Sequence, residues 1–227
     1  MLFNASVFRD NPVYFGAVAL HETLHLKAHF TLEVEEGEGG GIDITFYREG
    51  VGIKALQADG YHGRYHQHFT GLHEAIVAEL EKRSLAKIIN LPELAREKEW
   101  LESAEAGELK HQLAERRGIS EDDIIWVGKK GDKDWETVSY CKTRDVLTYV
   151  CTEIQKQFPA QYSRADEVFT EFQTAHFTGQ LLPIARLVEA TFGAGSFRLL
   201  GNMSTDKESA VLHLESLKKA RVRQLKN

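Results

Sequence analysis

The sequence contains few cysteines, prolines and methionines, and it has no long apolar run. Two cysteines are too few for a disulfide framework. Cys141 and Cys151 lie ten residues apart on one predicted helix, about 15 Å from each other, so we expect free thiols. The absence of any stretch of about 18 apolar residues argues against a membrane-spanning helix. The first residues also lack the basic start and apolar middle of a signal peptide, which predicts a cytoplasmic protein with no membrane partner.

Basic residues are also fewer than acidic residues. The chain has 28 Lys and Arg residues against 34 Asp and Glu residues, a formal net charge of -6. This balance excludes a general attraction to nucleic acid or to anionic membranes, so any such binding would need a local basic patch. A hydrophobic content of 42% and a charged content of 27% in 227 residues are typical of a globular protein with one large domain or two small ones.

Residues 18–34 alternate between apolar and polar side chains. A period of two places successive side chains on opposite faces of a strand, so this pattern predicts one long half-buried strand, or two strands that share a bend near Glu22. The polar positions of this predicted strand are His21, Thr23, His25, Lys27, His29, Thr31 and Glu33. Residues 42–48, 51–55 and 61–69 alternate in the same way, with glycine-rich turns between them. We therefore expect an antiparallel meander over residues 1–70.

The remaining residues, 71–227, favour helices. Leu72, Ile76 and Leu80 recur at helical spacing, and Gly179 fits the C-terminal end of a helix that begins after Ser163. Strand-forming residues around Ile124 predict a small hairpin over residues 124–139, and a last strand is predicted from Phe197 to Leu200. The fold class is therefore α+β, with an antiparallel β-meander packed against a mostly helical C-terminal part. The alternative is that the two parts form one continuous domain.

His21, Glu22 and His25 spell the HExxH motif of zinc metalloproteases. That chemistry requires a helix, because only a helix presents residues four apart to one metal with the glutamate as general base. On the predicted strand the two histidines would lie about 13 Å apart. The alternating pattern therefore leads us to interpret the motif as coincidental.

A His-x-Thr pattern gives a second hypothesis. On a strand, His29 and Thr31 share a face, so a histidine that transfers a proton can act beside a threonine that binds a phosphate oxygen. The segment from Ala28 to Leu32 resembles one half of the signature of the two-histidine phosphoesterases, which act on RNA ends and cyclic phosphates. That family uses two such motifs on adjacent strands. The pattern recurs here at His21, His68 and His176, but none of these has the same apolar flanks, and those at His68 and His176 run into glycine.

The predicted strands also bring many histidines to one sheet face, where they could bind a metal or phosphate. The competing interpretation is a solvated sheet face. On the first interpretation the candidate catalytic residues are His29, His66 and His68. The candidate metal ligands for a divalent metal such as zinc are His62, His66 and His68, and the candidate substrate-binding residues are Lys27, Thr31 and Arg64.

These residues suggest a histidine- or metal-dependent hydrolase acting on phosphodiesters of RNA or nucleotides. Nucleic acid or a nucleotide would then be the partner. The alternative is a non-catalytic module that binds a partner protein through the sheet face or the glutamate-rich helices after Pro92. The sequence alone does not decide whether the protein is an enzyme.

Overall fold

A computed structural model describes residues 12–36, 41–56, 65–130, 133–138 and 140–226. The chain divides into two compact units. The first unit comprises Met1–Leu26 and Val77–Cys141, and the second comprises Lys27–Ile76 and Lys142–Asn227. Among the described residues, no helix has the length and apolar character needed to cross a membrane.

The first element is a helix, α1, from Pro12 to Lys27. The prediction of a strand over this stretch is therefore wrong. Val13 and Ala17 are buried, and with Leu20 and Leu24 they recur at the spacing of a helix. Pro12 stands at the first helical position, where its missing N–H costs nothing. Over a short stretch, the same apolar residues can fit both the two-residue repeat of a strand and the 3.6-residue repeat of a helix. The strand of this region begins only at Phe30.

The second unit contains a four-stranded antiparallel sheet. Its strands are β1 (Phe30–Glu36), β2 (Ile42–Glu49), β3 (Gly52–Leu56) and β4 (Tyr65–His68), in the order β1-β2-β3-β4. Thr31 pairs with Arg48, Arg48 pairs with Ile53, and Ile53 pairs with His68. The predicted antiparallel meander is confirmed, and the predicted strand residues 61–64 lie outside the described residues.

Helix α2 (Thr70–Ile88) follows the sheet, as predicted, and its second half belongs to the first unit. A 3-10 turn (Pro92–Leu94) leads to α3 (Ala95–Leu101) and α4 (Ala104–Arg117), and the hairpin consists of β5 (Ile124–Lys130) and β6 (Lys133–Val138). Helix α4 and β5 share a small apolar core around Leu113 and Val127. Trp100 donates its indole N–H to the Val127 carbonyl at 2.7 Å, which ties α3 to the hairpin.

The second unit continues with five helices among its described residues: α5 (Cys141–Gln157, whose first residue closes the first unit), α6 (Ala165–Thr178), α7 (Leu182–Phe192), α8 (Ser196–Gly201) and α9 (Lys207–Gln224). Gly179 ends α6 in the left-handed conformation, as predicted. The predicted strand at Phe197 is wrong, because these residues form the short helix α8 around the fully buried Leu200. The fold class α+β is confirmed. The two cysteines are free and buried.

Arg221 is the main polar anchor of α9 and is only 6% exposed. It donates to Glu153 at 3.1 Å, to Gln157 at 3.0 Å and to the Thr191 carbonyl at 2.9 Å. Burial alone would raise the pKa of Glu153, but the hydrogen bonds from Lys156 and Arg221 outweigh it and hold that pKa below its usual value. A buried charge is thus fully paired, which fixes α9 against its neighbours.

Candidate metal centre

Helix α1 places His21 and His25 one turn apart on the same face. Their Nε2 atoms lie 3.1 Å from each other. Two imidazole nitrogens bound to one zinc ion at a tetrahedral angle lie about 3.3 Å apart, given zinc–nitrogen bonds of about 2.0 to 2.1 Å. The pair therefore has the separation that a shared metal ion requires.

Glu81 of α2 supports His21 from the other side of the ring. Its side chain is almost fully buried, and its Oε2 lies 3.0 Å from Nδ1 of His21. When Nδ1–H donates to this carboxylate, the lone pair of His21 is left on Nε2, the atom that faces His25. Metal-binding histidines are usually held in this way, because the outer carboxylate fixes both the tautomer and the ring orientation.

Two ring contacts restrict His21 further. The rings of His21 and His25 meet edge to face, with centroids 4.8 Å apart. The phenol ring of Tyr140 stacks on His21 with centroids 6.0 Å apart and an angle of 17° between the planes. Glu22 directly follows His21 on α1 and is half-buried. These groups all belong to the first unit.

A separate histidine cluster lies in the second unit. His176 of α6 is fully buried and His73 of α2 is nearly so, with their ring centroids 5.1 Å apart. Nε2 of His73 lies 3.7 Å from a carboxylate oxygen of Glu49, so these two residues also present ligand atoms close together. Gly50 has a φ of 58°, and a Cβ atom there would lie 2.6 Å from Nδ1 of His176 and 2.8 Å from Nδ1 of His73. Only glycine fits between the two rings.

The predicted catalytic residues do not converge. His29 and Thr31 stand at the β1 edge of the sheet, with His29 Nε2 and Thr31 Oγ1 3.3 Å apart, whereas His66 and His68 stand on β4 at the opposite edge. Three strand spacings separate the edges by about 14 Å. His29 therefore does not meet His66 and His68, and those two have ring centroids 6.4 Å apart.

The other predicted site residues are scattered or undescribed. Lys27 is exposed at the end of α1, and His62 and Arg64 lie outside the described residues. The basic residue that the structure does place near His29 is Arg48, whose Nη2 donates to the Gly179 carbonyl. Burial lowers the pKa of Arg48. The ring of His29 also packs closely over Gly179.

The sequence contains the HExxH motif, but the predicted strand removes His21 and His25 from the candidate metal ligands. The recurrence of Val13, Ala17, Leu20 and Leu24 would have predicted the helix that the HExxH motif needs. No local sequence pattern marks Glu81 as a neighbour of His21, because the two residues are 60 positions apart in the sequence.

Comparison with known proteins adds no relative. No protein-family model, curated protein or solved structure matches the chain.

Proposed function

We propose that the protein is a metal-dependent hydrolase that cleaves amide bonds of peptides, with the HExxH motif of α1 as its metal centre. The observation that carries the proposal is the 3.1 Å separation of the His21 and His25 Nε2 atoms on a helix, with the buried Glu81 behind His21. Two histidine ligands, one of them held by an outer carboxylate, are part of the arrangement that zinc enzymes use.

A divalent metal such as zinc supplies Lewis-acid activation of a water molecule and of the substrate carbonyl. Glu22 is the general base of this proposal, since the HExxH motif assigns that role to the glutamate next to the first histidine. It accepts the proton that the attacking water loses while the water oxygen bonds to the carbonyl carbon. The same carboxyl group then gives the proton to the leaving nitrogen as the C–N bond breaks.

Catalytic zinc sites carry three protein ligands, so the two imidazoles of α1 require one more. Helix α2 already supplies Glu81, and its other carboxylates are the first to test. The other glutamate of α2 within the first unit is Glu79. If it is the further ligand, Glu79→Gln abolishes zinc binding.

The decisive experiment compares zinc-loaded wild type with Glu22→Gln on a mixture of fluorogenic peptides. General-base catalysis contributes about 10²- to 10⁴-fold, so we expect the variant to lose at least about 100-fold in kcat/KM while it keeps its zinc. Glu93→Gln, at an exposed position of the 3-10 turn, is the matched control and should keep full activity. Equal activity of Glu22→Gln and wild type would overturn the proposed role.

The phosphodiesterase hypothesis is tested in the same assay with RNA and cyclic nucleotides as substrates. His29 and Thr31 remain its best pair, because they lie 3.3 Å apart at one sheet edge beside the Arg48 guanidinium that donates to Gly179. Turnover of these substrates that disappears in His29→Ala, but not in Glu22→Gln, would favour that function. The alternative, a non-catalytic module that binds a partner protein through the sheet face or the acidic helices, predicts no turnover of any of these substrates.

A further inference from the structure

Tyr140 adopts a backbone conformation that bulky residues rarely occupy. It stands between β6 and α5, and its φ is 39°. Left-handed backbone costs a residue with a Cβ about 1 to 2 kcal/mol, and asparagine or glycine would adopt it more easily. A tyrosine at such a position calls for a physical reason.

Phe69 also has a positive φ, and the packing of its side chain explains it. Among the described non-glycine residues, Phe69 and Tyr140 are the two with positive φ. Phe69 is buried, its ring lies against Gly201 and Phe197, and its backbone N–H donates to the Gly201 carbonyl at 2.6 Å. Core packing therefore offsets the strain at Phe69.

Core packing does not account for Tyr140 in the same way. Its side chain is 38% exposed, and its ring lies on the face of His21, with centroids 6.0 Å apart and planes 17° from parallel. Stacked aromatic rings at this distance attract each other and resist tilting. The strained backbone thus places a flat ring over the imidazole whose Nε2 faces His25.

We infer that Tyr140 is a positioning residue of the metal centre, which keeps the His21 ring in the orientation that metal binding needs. The inference rests on the proposed function, because it assumes that His21 and His25 bind a metal. The contact between Nδ1 and Glu81 fixes the tautomer of His21 and the position of that ring nitrogen. Stacking against Tyr140 limits tilting of the plane of the imidazole ring. A ring held in this way loses less rotational freedom when the metal binds, so its affinity is higher.

The test measures the zinc dissociation constant by chelator competition and records the absorption spectrum of the Co²⁺-substituted protein. Tyr140→Asn removes the ring but tolerates positive φ, so the fold is preserved. We expect its zinc dissociation constant to rise about tenfold, the lower end of the range seen for supporting residues. Its cobalt spectrum should change, and Tyr140→Phe should restore both properties.

Tyr149→Ala is the matched control, because it removes a half-buried tyrosine that contacts Phe192 at the same 6.0 Å centroid distance in the second unit. It should leave zinc binding unchanged. If wild type binds zinc and Tyr140→Asn matches it in both affinity and spectrum, the positioning role is wrong and the metal centre stands. If wild type binds no zinc, the proposed function and this inference fail together.

Discussion

Replacing Glu81 by glutamine should weaken metal binding without unfolding the protein. Glu81 is 3% exposed, and its carboxylate lies 3.0 Å from Nδ1 of His21. Glutamine keeps an oxygen that can accept the Nδ1–H but loses the negative charge that strengthens this hydrogen bond. A hydrogen bond to a charged group contributes about 1.5 to 3 kcal/mol and a neutral one about 1 kcal/mol, so about 0.5 to 2 kcal/mol of orientation energy is lost. That difference is about 2- to 30-fold in the zinc dissociation constant.

The assay is a competition titration of the apo-protein against a chromophoric zinc chelator at neutral pH. Glu121→Gln is the matched control, because Glu121 lies 2.9 Å from Nδ1 of His111 in the same unit but on an exposed surface. Glu121→Gln should bind zinc like wild type, and Glu81→Ala, which leaves no acceptor, should bind less tightly than Glu81→Gln. Equal affinities for wild type and both Glu81 variants would refute the idea that Glu81 orients a metal ligand.

Three further predictions concern the second unit. Arg221→Ala should lower the free energy of unfolding by about 3 kcal/mol in urea denaturation, because it removes a buried guanidinium that donates to Glu153, Gln157 and the Thr191 carbonyl. Gly50→Ala should lower the thermal midpoint, because a Cβ there would lie 2.6 Å from His176 Nδ1 and would need positive φ. Burial, with help from a nearby glutamate, raises the pKa of Tyr162 to about 12. Its stabilising contribution is complete below pH 10 and is lost as the pH rises through about 12, so Tyr162→Phe should flatten that part of the pH–stability curve.

Local sequence patterns predict a helix or strand where the spacing of apolar residues, or a residue typical of a helix end, has a single structural interpretation. Helix α2 was predictable because Leu72, Ile76 and Leu80 face one side, and all three are buried. The end of α6 was predictable because Gly179 fits the left-handed position that terminates a helix. In these cases one chemical signal had one structural interpretation.

Helix α1 was not predicted, because its residues carry both periods at once. Leu20, Leu24 and Leu26 satisfy the alternation of a strand, whereas Val13 and Ala17 satisfy the spacing of a helix. The continuous alternation across Lys27 joined this helix to the strand that follows it. The error mattered for the site, because the HExxH motif has chemical meaning only on a helix.

The residues that complete the site were beyond local patterns. Glu81 meets His21, and Tyr140 meets the same ring, only because the chain returns to α1 from distant parts of the sequence. His73 and His176 likewise meet through tertiary packing that no spacing rule encodes. Sequence periodicity describes faces of single elements, and contacts between elements depend on the whole fold.

The most direct test of the central claim is elemental analysis of the purified protein after zinc loading and exhaustive desalting. We predict about one zinc ion per chain for wild type and for His111→Ala, whose imidazole is exposed on α4. The double variant His21→Ala/His25→Ala should retain none while it keeps the helical circular-dichroism spectrum of wild type. Stoichiometric zinc in the folded double variant, or none in wild type, would contradict the assignment of α1 as the metal centre.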